Sequence, residues 1–70
     1  MEILVFKTNI SKKGVRKMKE ILNQIEEINY WNIDLDDCDR VLRVETHSFL
    51  SNDIIQLVKN TGFVCEELNY

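Results

Sequence analysis

Few side chains in this sequence could do metal or catalytic chemistry. Cys38 and Cys65 are its two cysteines and His47 its single histidine. Thiolate and imidazole are ligands for soft and borderline metals, so these three are the residues from which such a site would have to be built. No nucleophile stands at a recognisable spacing from His47, and no glycine-rich nucleotide loop is present, so no catalytic residue is expected. The segment DLDDCDRVLRVE puts Asp34, Asp36 and Glu45 at positions 1, 3 and 12 of a calcium loop. Asp39 occupies position 6, where that loop needs glycine for its sharp turn, and Val41 to Glu45 alternates as a strand does. A solvated acidic hairpin tip is the simpler reading.

A third chemistry is electrostatic. Lys7, Lys12, Lys13, Arg16, Lys17 and Lys19 are six of the nine basic residues, and no acidic residue falls between Glu2 and Glu20. Lys12 and Lys13 stand in the first turn of a predicted helix, where positive charge opposes the helix dipole unless an anion or acidic surface answers it. Backbone N–H groups there, with Gly14 allowing close approach, could hold a phosphate or carboxylate. Lys12, Lys13 and Arg16 are therefore the candidate docking residues for an anion or partner. The alternative is that these lysines keep the helix soluble or answer the acidic hairpin.

The elements that must position these groups follow from hydrophobic period. Ile3 to Lys7 reads as a buried strand, and Ser11 as the N-cap of a helix running to about Glu27. Val15, Met18, Ile21, Leu22 and Ile25 form its apolar face. Tyr30 to Leu35 alternates as a half-buried strand with Trp31, Ile33 and Leu35 inward, and Val41 to Glu45 returns from the DDCD turn with Leu42 and Val44 inward. Ser51 is the expected cap of a second helix, with Leu50 stapled against Ile55 and Gly62 ending it. Phe63 to Leu68 is the closing strand. The order β-α-β-β-α-β predicts an α+β fold, a ferredoxin-like two-layer sandwich with an antiparallel sheet of order 4-1-3-2 and both helices on one face.

With 70 residues, residues 1–70 form a single domain whose core is thin, and self-association is worth expecting. A composition of 44% hydrophobic and 30% charged residues, net charge -3, two glycines and no proline excludes disordered and collagen-like chains. The apolar run ILVF follows Met1 and Glu2 without a basic stretch and is too short for a signal peptide or membrane span, which favours the cytoplasm. Two cysteines do not make a secreted disulfide framework, so free thiols are expected.

Val15, Met18 and Leu22, the segment Ile28, Ile33, Asp34 and Leu35, and Thr61-Gly62-Phe63 fall where the heavy-metal-associated domain family has its packing positions. Over nearly the whole chain the sequence resembles that family, the small fold of copper chaperones and metal-ATPase tails. The resemblance implies a metal pair M-x-C-x-x-C at the first loop, but Asn9 stands at the methionine, Ser11 at the first cysteine and Gly14 at the second. Neither Ser11 nor Gly14 can supply a thiolate, so no metal and no cofactor is expected. In the predicted topology Cys38 lies at the same end as the first loop but at the far edge of the sheet, Cys65 faces the core, and His47 lies at the opposite end.

RNA recognition on an open sheet needs aromatic residues on the two central strands, and the outward positions here are Ile3, Val5, Val41, Arg43 and Glu45. Ile3, Val5, Val41 and Val64, with Tyr30 at one edge, instead predict an aliphatic interface patch. The expected function is a non-enzymatic binding or interaction domain, with a protein partner or a second copy as its target and neither nucleic acid nor membrane. Two alternatives stay open: a metal carrier with unconventional ligands, and a small-ligand regulatory domain similar to ACT domains, for which Asn9 and Gly14-Val15 are suitably placed.

Overall fold

The computed structural model describes residues 2–68. Six elements follow in the order β1 (Glu2–Thr8), α1 (Lys12–Leu22), β2 (Ile28–Asp34), β3 (Val41–Thr46), α2 (Ser51–Asn60) and β4 (Cys65–Glu67). The strands make one antiparallel sheet of order β2-β3-β1-β4. Alternation decides which face is covered. Leu4, Phe6 and Thr8 of β1 and Leu42, Val44 and Thr46 of β3 are buried, while their neighbours along each strand are more exposed. Met18 and Leu22 of α1 and Ile54 and Val58 of α2 close the same core, so both helices cover this one face. Among the described residues no helix is long and apolar enough to cross a membrane.

Element ends depart from the expected ones where local hydrogen bonding overrides period. The first helix stops at Leu22 and not near Glu27, although Ile25 keeps the apolar spacing. Gln24 N–H bonds to Ile21 O and Ile25 N–H to Leu22 O, tighter three-residue turns that reverse the chain while Ile25 still packs on the core. The indole N–H of Trp31 donates to Asn23 Oδ1 at 2.9 Å and ties this turn to β2. Strand β2 accordingly begins at Ile28, with a register shift before Tyr30, and ends at Asp34, leaving Leu35 in the turn. Strand β4 is shorter than expected, beginning at Cys65, since Phe63 and Val64 are taken up in leaving α2.

The N-cap of α2 is Leu50, not Ser51. Asp53 accepts from the Leu50 N–H at 3.0 Å, and Ser51, already helical, donates its hydroxyl to Glu67 at 2.5 Å. Leu50 is 67% exposed and makes no staple; Phe49, one residue earlier, packs against the core that holds Ile54. The far end behaves as its sequence demands. Gly62 has φ +96, its N–H bonds to Lys59 O and the Phe63 N–H to Val58 O, the paired bonds of a Schellman ending.

Two buried threonines govern how each strand hands over to its helix. Thr8 Oγ1 donates to Arg40 O at 2.6 Å and accepts from the Ile10 N–H at 3.2 Å. Thr46 Oγ1 donates to Glu27 O at 2.6 Å and accepts from the N–H groups of Ser48 and Phe49. Removing either hydroxyl leaves backbone groups that are buried or partly buried without partners, which costs up to ~1–3 kcal/mol. Thr8→Val and Thr46→Val are each expected to lower stability by about that amount, read as a fall in the urea midpoint at unchanged slope. A midpoint equal to that of the parent protein would show that the hydroxyls are incidental.

Candidate functional site

At the end of the sheet where β1 leads into α1, the first loop, the acidic hairpin and the segment before β4 meet. Thr8 N–H bonds to Asp39 O at 2.9 Å, Arg40 Nη1 to Ile10 O at 3.0 Å, and Val64 N–H to Asn9 Oδ1 at 2.8 Å. Asp39 and Arg40, on the β3 side of the hairpin, thus reach the first loop. Asp34 and Asp37 shape the tip through their own carboxylates, which accept from the N–H groups of Asp36 and Asp39. Arg40 completes the tip in a left-handed conformation, φ 44, and its bonds from Thr8 and to Ile10 hold it there. Glu45, paired with Ile3 and Tyr30 across the sheet, stands away from Asp34 and Asp36, so no calcium loop forms.

Ser11 and Gly14 have structural work. The Ser11 hydroxyl accepts from the Gly14 N–H at 3.2 Å and caps α1. A Cβ on Gly14 would sit 2.4 Å from Phe63 Cζ and 3.1 Å from Ile10 Cγ2. The glycine therefore admits the Phe63 ring and not a ligand, which corrects the expected close approach at Gly14, while Ser11 caps the helix as its sequence position predicts. Asn9, spent on Val64, is likewise a brace. The donor set at this loop, a capping hydroxyl and a glycine, does not fit a soft metal ion.

The cysteines and the histidine are not brought together. Cys65 pairs with Thr8 in the sheet and is 5% exposed. Burial pushes its thiol from the ordinary 9.0 up to about 11, against a smaller lowering by Lys59. His47 is exposed beyond the other end of β3. Cys38 lies exposed on the hairpin, where a ligand atom from each of Asp37, Cys38 and Asp39 falls within 4.8 Å of the others. Asp39 is already engaged by Lys7 at 3.7 Å.

Lys12, Lys13 and Arg16 do come together. They line one surface concavity at the start of α1 and are all exposed. Lys7–Asp39 is the one ion pair among the described residues, so the hairpin's acid answers Lys7 and not this group. On the open sheet face Ile3, Val5 and Val41 are present as expected, but the register interleaves charge: Glu45 lies beside Ile3, Arg43 beside Val5, and Glu66 beside Lys7. Tyr30 and Val64 are 51% and 60% exposed. The aliphatic patch is thus two apolar neighbours in a charged frame, not a continuous surface. Thr8, whose hydroxyl ties this loop to the hairpin, was not singled out by period or motif, nor was Thr46, which makes the matching bonds at the opposite end of the sheet.

Comparison with protein-family models, with curated proteins and with solved structures finds no match to this chain.

The two thiols should react very differently. At neutral pH Cys38 is expected to be alkylated at the rate of an ordinary exposed thiol and Cys65 far more slowly, gaining reactivity only as pH approaches about 11. Because the folded protein holds the Cys65 proton longer than the unfolded chain does, stability should fall as pH rises from 9.0 towards 11. Peptide mapping after timed alkylation checks the first point. Equal rates at both cysteines would contradict the burial.

Proposed function

We propose that this chain is a small non-enzymatic interaction domain that docks an acidic protein surface on the exposed start of α1. The observation that carries this reading is the gathering of Lys12, Lys13 and Arg16 around one concavity with no carboxylate in salt-bridge reach among the described residues. Three uncompensated cations on one short surface are mutually repulsive, and an acidic partner relieves that repulsion while being steered towards it. Half of the chain's twelve acidic residues lie at the hairpin tip and on β4, and Glu20, the one acidic residue of α1, makes no ion pair with Arg16 among the described residues.

The architecture is read as a ferredoxin-like βαββαβ sandwich, the observed sheet being 4-1-3-2 when counted from the β4 edge. Its likeness to a heavy-metal-associated domain is a likeness of packing: Val15, Met18 and Leu22 on α1 and Gly62-Phe63 before β4 support it. The capped Ser11 and the covered Gly14 support a domain that keeps such a scaffold without soft-metal chemistry. No specific observation favours the metal-carrier or ACT-like alternatives over docking.

Labelled polyglutamate is a suitable acidic probe. It should bind the parent protein at low ionic strength and weaken steeply with salt, since exposed charges are screened within about 10 Å at 0.1 M. Lys12→Glu/Lys13→Glu should lose at least about tenfold in affinity at low salt, the difference shrinking as salt rises. Equal binding by both proteins at low salt would show that these residues serve solubility alone.

A further inference from the structure

The open face of the sheet carries a pattern that fits a copy of itself. Across the middle of the sheet run two adjacent rows. One holds Asn32, Arg43 and Val5, the other Tyr30, Glu45 and Ile3. Ile3 is 57% and Tyr30 51% exposed, an unusual amount of apolar surface for the solvated face of so small a sheet.

A two-fold axis lying between two stacked sheets, perpendicular to the strands and midway between these rows, exchanges one row for the other. Arg43 then stands over Glu45 of the second copy and Glu45 over its Arg43. Val5 meets Ile3, and Asn32 meets Tyr30. Stacking β1 on β1 or β3 on β3 in this way satisfies both requirements of an isologous contact at once, apolar against apolar and cation against anion. The alternative axis, parallel to the strands between β1 and β3, would put Arg43 over Val5 and Glu45 over Ile3, burying each charge against an aliphatic side chain. Stacked sheets tolerate a crossing of about 30° around such a centre, so the twist of each sheet leaves the central pairs opposed.

We infer that a second copy of this chain docks on the open sheet face, with the Arg43–Glu45 pairs reciprocated across the two-fold axis and Ile3 and Val5 of the two copies packed against one another beside them. The occupant is a second copy because the charge order along β3 is complementary to its own reverse. This surface lies on the opposite side of the sheet from both helices and leaves Lys12, Lys13 and Arg16 free.

The pairing makes a reciprocal test. Sedimentation of the parent protein over a concentration series should show a reversible dimer. Arg43→Glu alone sets acid against acid at both pairs, and Glu45→Arg alone sets base against base. Each should weaken dimerisation at least about tenfold. An equimolar mixture of the two variants restores opposite charge at every position and should recover association as a mixed dimer. The double variant Arg43→Glu/Glu45→Arg should recover it as a homodimer. Circular dichroism confirms that each variant is folded, as expected for substitutions on an exposed face. A parent protein that stays monomeric throughout overturns the inference, as does dimerisation that ignores the single variants or a mixture that fails to associate.

Discussion

The rest of the structure depends on two hydroxyl groups. Each time a central strand of this sheet ends, the chain must turn over the edge of the core into a helix, and that turn leaves backbone groups wholly or partly shielded from water. Thr8 and Thr46 resolve the same difficulty with the same bonds. Each donates to a carbonyl in the loop leading to the neighbouring strand and accepts from the N–H two residues ahead, so that strand end, loop and hairpin become one unit. The two halves of the fold thus repeat a device as well as an order of elements. Among the described residues no buried side-chain nitrogen or oxygen lacks a partner, which a core this thin could hardly tolerate.

That bracing has a consequence for function. The first loop of this topology is where a ligand would ordinarily be sought, yet here Thr8, Asn9, Ser11, Gly14 and Arg40 are each committed to holding the loop closed. Phe63 fills the space beside the glycine, and Cys65 lies beneath as a protonated, buried thiol. The surfaces left for the docking and self-association proposed above are the basic start of α1, whose cations pair with no carboxylate among the described residues, and the open sheet face, where Arg43 and Glu45 stand beside Val5 and Ile3.

Much of the scaffold was legible in the sequence because period and punctuation agree. The alternation of Trp31 and Ile33, the three- and four-residue spacing of Val15, Met18 and Leu22, and Gly62 as a helix stop each describe one local geometry, and the structure has them. Where period alone spoke, it misled: Ile25 extends the apolar face of α1 although the helix has ended, because a turn of tighter pitch also keeps a side chain on the core. Ser51 reads as a better cap than Leu50, but the Asp53 carboxylate serves the Leu50 N–H from within the helix and frees Ser51 for Glu67. The first-loop site was misread for a deeper reason. A glycine at a helix start permits close approach by anything, and only the three-dimensional path of the chain shows that Phe63 takes the space. The sheet patch likewise needed register, since Arg43 and Glu45 become neighbours of Val5 and Ile3 only once β1 and β3 are aligned.

Native-state hydrogen exchange at the Ile10 amide is the most direct test of this account. Among the described residues its one partner is the Thr8 hydroxyl at 3.2 Å, and the residue itself is fully buried, so its protection reports whether the first loop is part of the core or an opening above it. The expected result is exchange as slow as that of Leu42 and Val44, through unfolding of the whole domain. Exchange at the rate of an open loop, with those strand amides still protected, would contradict the claim that the loop is braced shut.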